Sequence, residues 1–187
     1  MNLVLIHCPK TGGASLRAAF PWACREHATL TERWLEMNRK ERECSFFAAF
    51  VRDPWARLFS WWRHANYFYK WTFEEYVLHH AVGEIYVHGR KRTGLLVAKQ
   101  EQWVESPYRR LDFVGRFETL EKDFTNLLAI LGLPIDQRLP HLHCSEHRQA
   151  HPYHEGRWTA QMLNVVRSTF EPFAGKYGYE EPKNEEG

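Results

Sequence analysis

The sequence predicts an α/β fold in which a parallel β-sheet is covered by helices on both faces. Three short strand-like runs, Leu3–Ile6, Phe46–Val51 and Leu111–Val114, alternate with segments of helical periodicity. The first two runs are continuously apolar, which is typical of strands buried on both faces of a sheet. A length of 187 residues, of which 44% are hydrophobic and 15% aromatic, favours one domain with one core.

The first two predicted strands are each followed by a loop and a helix. A helical pattern over Leu16–Phe20 follows the first strand after a glycine-bearing loop. The second strand leads into Asp53 and Pro54. Asp is a preferred residue before a helix and Pro is favoured at its first position. Apolar residues at helical spacing from Leu58 to Phe68 then predict a helix with one buried face.

A helix and a basic loop are predicted between the second and third strands. We expect the helix over Trp71–His80 and the loop over Gly89–Arg92. After the third strand, regularly spaced apolar residues predict a helix over Leu120–Leu131. Gly132 and Pro134 are the residue types expected just beyond the end of a helix.

The C-terminal part is predicted to contain an irregular loop and a last helix. Proline and histidine are frequent over residues 134–157, which favours a loop, and Trp158–Phe173 has helical periodicity. No repeat or linker separates these elements. We therefore predict one domain over residues 1–180 and a polar, frayed tail over residues 181–187.

Charge and hydropathy exclude several classes of protein. A formal net charge of +2 is too mild to imply nucleic-acid binding. No apolar run approaches the ~20 residues needed to span a bilayer, and the first residues lack the features of a signal peptide. We therefore expect a cytoplasmic protein with no membrane partner. Four scattered cysteines are expected to be free thiols in that compartment: Cys8, Cys24, Cys44 and Cys144.

The loop after the first strand has the residues of a phosphate-binding site. Ligands of open parallel sheets bind beyond the carboxyl ends of the strands, where this loop would lie. Gly12 and Gly13 would let backbone N–H groups approach an anion, and the next helix would add its positive end. Lys10 would add a charge, and Thr11 and Ser15 would add hydroxyl donors. An ordinary strand-to-helix turn with a surface lysine is the alternative.

The order of residues in this loop differs from the Walker A pattern. Walker A places its lysine after the glycines, whereas Lys10 precedes them. This difference disfavours a phosphotransferase of the kinase type. Asp53, after the second strand, is the one candidate magnesium ligand that such an enzyme would have there.

The end of the second strand carries a second candidate phosphate site. Arg52 stands at the strand terminus, and a guanidinium suits bidentate recognition of a phosphate. Ser60 follows two turns into the next helix, and Arg57 would face the same entrance or form a surface ion pair. Alternatively, Asp53 only starts a helix and Arg52 pairs with a carboxylate. Two such strand ends predict a ligand with two separate phosphates.

The two motifs together resemble those of the sulfotransferases that use 3′-phosphoadenosine-5′-phosphosulfate, most closely the carbohydrate and heparan-sulfate 2-O type. HCPKTGGASL resembles the 5′-phosphosulfate loop of that family, PKTGGTS, and FVRDPWARLFSWW resembles its 3′-phosphate motif. VGRFETLEKDF and TFEPFAGKYGYE resemble its later strand–helix segment and its C-terminal helix. The resemblance covers most of the chain and is weakest over residues 64–99. It implies a P-loop-NTPase-like parallel sheet in a single domain.

The resemblance also implies a cofactor-binding set. The residues of the loop after the first strand would hold the 5′-phosphosulfate, and Arg52 and Ser60 would hold the 3′-phosphate. Ala14 stands where the family usually has threonine, which removes one hydroxyl donor. The implied cofactor-binding residues are Lys10, Thr11, Gly12, Gly13, Ala14, Ser15, Arg52 and Ser60.

Transfer to a hydroxyl group needs a base that removes the hydroxyl proton. Similar enzymes carry a histidine between the two phosphate motifs, often after a glycine, and His27 is the only histidine in that interval here. We expect His27 to be the general base, since an unperturbed imidazole titrates near neutral pH, and Lys10 to stabilise the leaving phosphate. Glu26, which replaces the glycine, and Glu32 are the reserve candidates, and a solvated loop histidine is the alternative.

Other residues allow two interpretations each. Gln100 and Trp103 resemble a Gln-x-x-Trp-like stretch that contacts substrate in relatives, but Trp103 also suits a core position. Arg116 would face the cofactor or pair with Glu118. Two basic segments would contact an acidic acceptor or would be solvated loop charge: Arg90–Arg92 and Arg109–Arg110. The aromatic residues of Trp61–Trp71 would stack on a sugar or would belong to the core.

A histidine- and cysteine-rich segment precedes the last helix. Its members are His141, His143, Cys144, His147, His151 and His154. Their spacing fits no zinc finger, so we expect no metal site, with a zinc site as the alternative. The resemblance implies instead a loop near the cofactor or substrate that helps to close the nucleotide site. Arg148 is the candidate anion contact in this loop.

These residues predict an enzyme that transfers a sulfuryl group from 3′-phosphoadenosine-5′-phosphosulfate (PAPS) to a hydroxyl acceptor. The product would be adenosine 3′,5′-bisphosphate (PAP), no metal would be required, and we expect a carbohydrate acceptor. Two alternatives are a P-loop-like nucleotide-dependent phosphotransferase and a non-catalytic module that binds a bisphosphate nucleotide. The sequence names neither the acceptor nor the oligomeric state.

Overall fold

The chain forms two compact units, each built from two separate stretches of sequence. The computed structural model describes residues 2–25, 28–69, 71–80, 84–87, 90–93, 99–140, 142 and 158–183. The first unit comprises Met1–Arg52 and Glu101–Cys144, and the second comprises Asp53–Gln100 and Ser145–Gly187.

The first unit contains all four strands of the parallel sheet, together with the helices beside it. They are β1 (Asn2–Ile6), α1 (Gly13–Ala19), β2 (Cys24–Arg25), α2 (Leu30–Glu36), α3 (Arg39–Cys44) and β3 (Ser45–Val51). Those of the second unit up to residue 93 are α4 (Pro54–Tyr69), α5 (Phe73–Glu75), a π-helical turn (Tyr76–His80), β4 (Glu84–Val87) and β5 (Arg90–Thr93). The first unit is completed by α6 (Glu101–Val104), β6 (Phe113–Arg116) and α7 (Leu120–Leu131), and the second by α8 (Ala160–Tyr177).

The sheet of the first unit has the order β2-β1-β3-β6, and all its neighbouring strands are parallel. Three of the strands have four or more residues, and β2 contributes a single short pairing with β1. The predicted α/β class, with helices beside a parallel sheet, is therefore confirmed.

Alternation along the strands sends the side chains of β1 and β3 to two faces. One face packs against α1 and α7, where Phe20 and Phe124 approach with ring centroids 5.5 Å apart. The other face includes Phe47, whose ring lies 5.9 Å from that of Trp34 on α2. Strand residues of the first face and the helix and loop residues packed on them form one buried cluster: Leu3, Leu5, Leu16, Ala19, Phe20, Ala23, Ala48, Phe50, Phe124, Leu127, Leu128 and Leu139.

The third strand begins two residues later than the sequence predicts. Asp112, which precedes β6, accepts a hydrogen bond from the N–H of Phe47 at 2.8 Å and from Nη2 of Arg109 at 2.6 Å. The Arg109 guanidinium also lies 5.3 Å from the centre of the Phe47 ring. These contacts fix the start of β6 against β3 and give Arg109 a structural role within this unit.

Helices α2 and α3 were not predicted, although the sequence before each of them carries a local signal. Thr29 accepts a hydrogen bond from the N–H of Glu32, whose carboxylate accepts one from the N–H of Thr29. Asn38 and Glu41 repeat this reciprocal arrangement before α3. A cap residue followed three positions later by glutamate is the capping-box pattern, so both helix starts were present in the sequence.

The predicted start of α4 is confirmed. The Asp53 carboxylate accepts a hydrogen bond from the N–H of Ala56 at 2.7 Å, and Pro54 is the first helical residue. Apolar residues of α4, α5, the π-helical turn and α8 form the core of the second unit: Trp55, Leu58, Phe73, Tyr76, Val77, Trp158, Met162, Leu163, Val166, Phe170 and Ala174. The helix predicted over Trp71–His80 is present as α5 and the π-helical turn.

The basic loop predicted over Gly89–Arg92 is wrong, because Arg90–Thr93 is strand β5. It pairs in antiparallel fashion with β4, in the register Ile85↔Arg92 and Tyr86↔Lys91. A run of three basic residues has no apolar periodicity. Its strand conformation comes from hydrogen bonds to a partner strand, which a local pattern does not contain.

The last helix extends four residues beyond its predicted end at Phe173 and finishes where Gly178 adopts a φ of 67°. Beyond it, Glu181 accepts hydrogen bonds from Arg167 at 2.8 and 2.9 Å. This contact lowers the pKa of Glu181, with the Arg167 hydrogen bond as the main cause. The start of the tail is thus held to α8 rather than frayed.

The helices and the cysteine residues can be compared with what the sequence predicts for them. None of the helices in the described part of the chain is both long and apolar enough to cross a membrane. Cys8, Cys24 and Cys44 carry free thiols. Cys144 lies outside the described residues.

We predict opposite effects for two Gly→Ala substitutions. A Cβ at Gly115 would lie 2.6 Å from Cδ1 and 3.0 Å from Cζ of Phe50, whereas a Cβ at Gly175 would have no heavy atom within 4 Å. Gly115→Ala should destabilise the protein by about 1–3 kcal/mol because it overpacks the sheet. Gly175→Ala should be neutral or stabilising by up to about 1 kcal/mol because glycine is unfavourable inside a helix.

Urea denaturation monitored by tryptophan fluorescence measures both changes in the free energy of unfolding. A Gly115→Ala variant as stable as the wild type would show that the Phe50 ring moves aside without cost.

Candidate functional site

The carboxyl ends of β1, β3 and β6 lie along one edge of the sheet. The parallel pairings align Ile6 with Ala49 and Val51 with Arg116. The N–H of Phe117 donates a hydrogen bond to the carbonyl of Val51 at 2.8 Å, which continues the pairing one residue beyond β6. The loop after β1, Arg52 after β3 and Phe117 after β6 therefore all follow directly from this edge.

The loop between β1 and α1 has an unusual backbone. Lys10 has a φ of 69° and is the only non-glycine residue with a positive φ among the described residues. Such a conformation is uncommon outside glycine and persists where the surroundings enforce it. One enforcing contact is internal: the Thr11 hydroxyl donates to the carbonyl of Cys8 at 2.7 Å. Thr11 is buried, so its one hydroxyl proton is used within the loop.

The two glycines of the loop are required for different reasons. Gly12 has a φ of 83°, which favours glycine. Gly13 has no positive φ, but a Cβ there would overlap the imidazole ring of His7, with Nε2 the nearest atom. From the sequence, both glycines are expected to make room for an anion. At Gly13, the room is taken by a side chain of the protein itself.

Arg52 links the second strand end to this loop. Its side chain is buried, with 3% of its surface exposed. Nη1 donates to the carbonyl oxygen of Lys10 at 3.1 Å, and the guanidinium carbon lies 4.2 Å from the centre of the Phe117 ring. A cation over an aromatic face is favourable, more so when it is desolvated. Residues 42 positions apart in the two predicted phosphate motifs are thus in direct contact.

Ser15 lies in the first turn of α1 and is buried. Its Oγ accepts a hydrogen bond from the N–H of Leu142 at 3.2 Å. A hydroxyl that accepts one hydrogen bond still has a proton to donate. Ser15 therefore retains the capacity to bind an anion, and the backbone at residue 142 fixes its oxygen.

The predicted catalytic base lies outside the described residues. His27 and Glu26 both belong to this undescribed stretch. The reserve candidate Glu32 is described, and its carboxylate accepts the Thr29 N–H at 2.8 Å in the capping box of α2. This contact gives Glu32 a structural function at the start of α2.

The other members of the second motif belong to the second unit. Ser60 lies within α4 and is half-buried. Arg57 is fully buried, so the surface ion pair considered for it is wrong. Within that unit, burial raises the pKa of Tyr76 to about 12, and the positive charge of Arg57 opposes this shift.

Three residues with open interpretations can be placed. Trp103 is completely buried, as expected for core packing, and Gln100 is buried as well. Arg116 is exposed, and its N–H donates to the Asp123 carboxylate at 2.8 Å.

Two aromatic residues predicted as possible sugar contacts belong to the core of the second unit. Trp62 and Trp71 pack against that core, and Nε1 of Trp62 donates to the carbonyl of Trp71 at 2.8 Å. The core interpretation is therefore confirmed for these two residues.

The histidine- and cysteine-rich segment lies outside the described residues, which include only residue 142 between 141 and 157. Arg148 is among the undescribed residues. In the part of the chain that is described, no group of three or more His, Cys, Asp or Glu side chains is arranged to hold a metal ion.

Two residues of this edge were not identified from the sequence. Phe117 follows β6 and lies beneath the Arg52 guanidinium, and His7 follows β1 and packs on Gly13. Their position immediately after a predicted strand was the available signal, since such positions face the ligand in open parallel sheets.

Comparison with known proteins adds no family assignment. Neither the protein-family models, the curated proteins nor the solved structures contain a match to this chain. The function is therefore argued from the two motifs and from the geometry at the carboxyl edge of the sheet.

Proposed function

We propose that the protein is a sulfotransferase that transfers a sulfuryl group from PAPS to a hydroxyl acceptor. The observation that carries the proposal is the hydrogen bond from the buried Arg52 to the carbonyl of Lys10. It joins the two motifs that the sequence assigns to two different phosphates. A ligand with separate 5′ and 3′ phosphate groups is the simplest ligand that would use both.

Electrostatics at this edge favour an anionic ligand. Arg52 is buried beside a loop that contributes a second cation, Lys10. Arg52 follows β3 and Lys10 follows β1, so two cationic residues leave the same edge of the sheet, and an anionic ligand at that edge would interact favourably with this positive charge. This arrangement supports a phosphate or sulfate ligand over a neutral one.

The residues of the loop fit the 5′ end of the donor. Lys10 would bind the phosphate that bridges nucleoside and sulfate and would stabilise its charge as the sulfuryl group departs. The hydroxyl of Ser15 would donate a hydrogen bond to the 5′ phosphosulfate, and Ala14 would contribute only its backbone N–H. When bound, PAPS would supply the sulfuryl group, and the reaction as proposed calls for no metal.

Arg52 would bind the 3′-phosphate through the bidentate face of its guanidinium. Ser60 keeps this role as a prediction from the sequence. His27 would accept the proton of the acceptor hydroxyl at its imidazole. A carbohydrate acceptor and a cytoplasmic location are likewise sequence-based parts of the proposal.

The phosphotransferase alternative would need Asp53 as its metal ligand, and this carboxylate already has a role as a helix cap. One oxygen of Asp53 accepts the N–H of Ala56 as the cap of α4. The lysine of the loop also precedes the glycines, unlike a Walker A lysine. Neither observation favours a nucleoside triphosphate with magnesium over a bisphosphate nucleotide.

The first prediction from this proposal is selective stabilisation by PAP. At a concentration of about 100 times its dissociation constant, a ligand of the native state adds ~2.7 kcal/mol to the free energy of unfolding. We expect a clear rise in melting temperature with PAP, and little change with AMP or with ATP–Mg. Differential scanning fluorimetry with all three nucleotides measures this. Stabilisation by ATP–Mg without stabilisation by PAP would contradict the proposal and favour the phosphotransferase.

The second prediction concerns Arg52→Lys. Lysine keeps the positive charge but loses the planar donor fork and the hydrogen bond to the Lys10 carbonyl. We expect PAP affinity to fall by about tenfold or more, equivalent to ~1.4 kcal/mol or more. Arg110→Lys is the matched control, because Arg110 is exposed. Isothermal titration calorimetry of both variants tests this, and equal affinities would exclude a role for Arg52 in binding.

The third prediction separates the enzyme from a binding module. His27→Ala should lower the turnover number by about 10²–10⁴-fold, the usual contribution of a general base, and leave PAP affinity unchanged. His79→Ala is the control, because His79 is an exposed histidine of the second unit. Sulfate transfer from PAPS to a panel of oligosaccharides, together with calorimetry, gives both quantities. Full turnover in His27→Ala would remove His27 from the mechanism.

A further inference from the structure

His7 is the first residue of the loop that follows β1. The proposed function assigns no role to this histidine. Gly13 is the first residue of α1. A Cβ on Gly13 would lie 2.6 Å from Cε1 of His7 and closer still to Nε2 and Cδ2. The imidazole ring therefore lies directly against the backbone of Gly13.

This contact explains why residue 13 is glycine. Its φ is not in the left-handed region, so alanine would be tolerated by the backbone itself. The obstacle is the imidazole, and a residue of any other type at position 13 would displace it. Gly12 differs, because its φ of 83° already favours glycine. The sequence motif of two adjacent glycines thus combines one conformational and one packing requirement.

We propose that His7 is a positioning residue of the phosphate loop, which sets the loop geometry by packing its imidazole against Gly13. The inference rests on the proposed function for the identity of the ligand. The ring spans the two ends of the turn, from the end of β1 to the start of α1. Lys10 lies between these two ends and Ser15 lies just after the second, so both residues that would contact the 5′ phosphate depend on this turn.

The geometry of the loop makes it sensitive to this support. Lys10 holds a positive φ, and its carbonyl must reach Nη1 of Arg52 at 3.1 Å. A shift of α1 relative to β1 would move both this carbonyl and the Ser15 hydroxyl. Misplacement of binding groups by about 1 Å lowers activity by up to a hundredfold in enzymes. A side chain that fixes both ends of the turn would therefore control affinity without touching the ligand.

A double-mutant cycle tests the proposal. Gly13→Ala should weaken PAP binding by about tenfold or more, because the new methyl group expels the imidazole and displaces the turn. His7→Ala should weaken it less, since it removes support without adding a clash. The double variant, His7→Ala with Gly13→Ala, should bind PAP better than Gly13→Ala alone, because the added methyl group fills space left by the ring. Such recovery requires direct contact between the two side-chain positions.

Two further measurements make the outcome decisive. The matched control is His7→Ala combined with Gly175→Ala, which should show additive effects because Gly175 has no neighbour to clash with. Melting temperatures of all variants separate loss of binding from loss of folding. A positioning role requires that His7→Ala change PAP affinity by a larger factor than its change in stability accounts for. Additive effects in the Gly13 cycle, or wild-type PAP affinity in Gly13→Ala, would overturn the proposal.

The cycle also separates this inference from the proposed function. If the wild-type protein binds no PAP, the sulfotransferase proposal fails. The coupling between His7 and Gly13 would still appear in the melting temperatures, where it would support the packing of the imidazole against Gly13 and its effect on the loop geometry. If PAP binds and the cycle is additive, only the role of His7 is lost.

Discussion

The candidate site depends on one hydrogen bond, from Nη1 of the buried Arg52 to the carbonyl of Lys10. It connects two loops that leave neighbouring parallel strands at the same edge of the sheet. A buried guanidinium needs compensation, and this one receives part of it from the carbonyl of Lys10, a residue that itself adopts a positive φ. The unusual backbone of the loop and the burial of Arg52 therefore support each other. The ring of Phe117, which follows β6, adds a third strand end to the same arrangement.

The loop shows how residues of one motif divide their tasks. Gly12 allows a backbone conformation, Gly13 admits the imidazole of His7, and Thr11 closes the turn with its own hydroxyl. Under the proposed function, the side chains of Lys10 and Ser15 would be the ones in the motif that bring charge and hydrogen-bonding capacity to the ligand. Three residues of a motif with the composition of an anion-binding loop therefore have structural roles within the loop itself. Local rules of packing and propensity are often broken at functional sites, and Lys10 is the residue here that breaks one.

Much of the fold was predictable because its signals are local. The Asp53–Pro54 start of α4, the glycine-terminated end of α7 and the apolar runs of β1 and β3 all appear in the structure at or within a residue of their expected positions. The starts of α2 and α3 were encoded equally locally by capping boxes. Strand β5 was not predictable in this way, because three basic residues become a strand only through pairing with β4. The start of β6 was likewise set by contacts of Asp112 with the distant Phe47 and the nearby Arg109.

The sequence by itself determined the order of β1, β3 and β6 and of the helices that follow them, and the residue types at two strand ends, since periodicity, helix caps and glycine–proline punctuation act over a few residues. It also supplied the two motifs on which the sulfotransferase proposal rests. Tertiary structure decided which of those residues meet. The contact between Arg52 and Lys10, the ring of Phe117 beneath the guanidinium and the imidazole of His7 against Gly13 arise only after parallel strands align their carboxyl ends. Pairing between distant segments fixes that alignment, and no local pattern contains it.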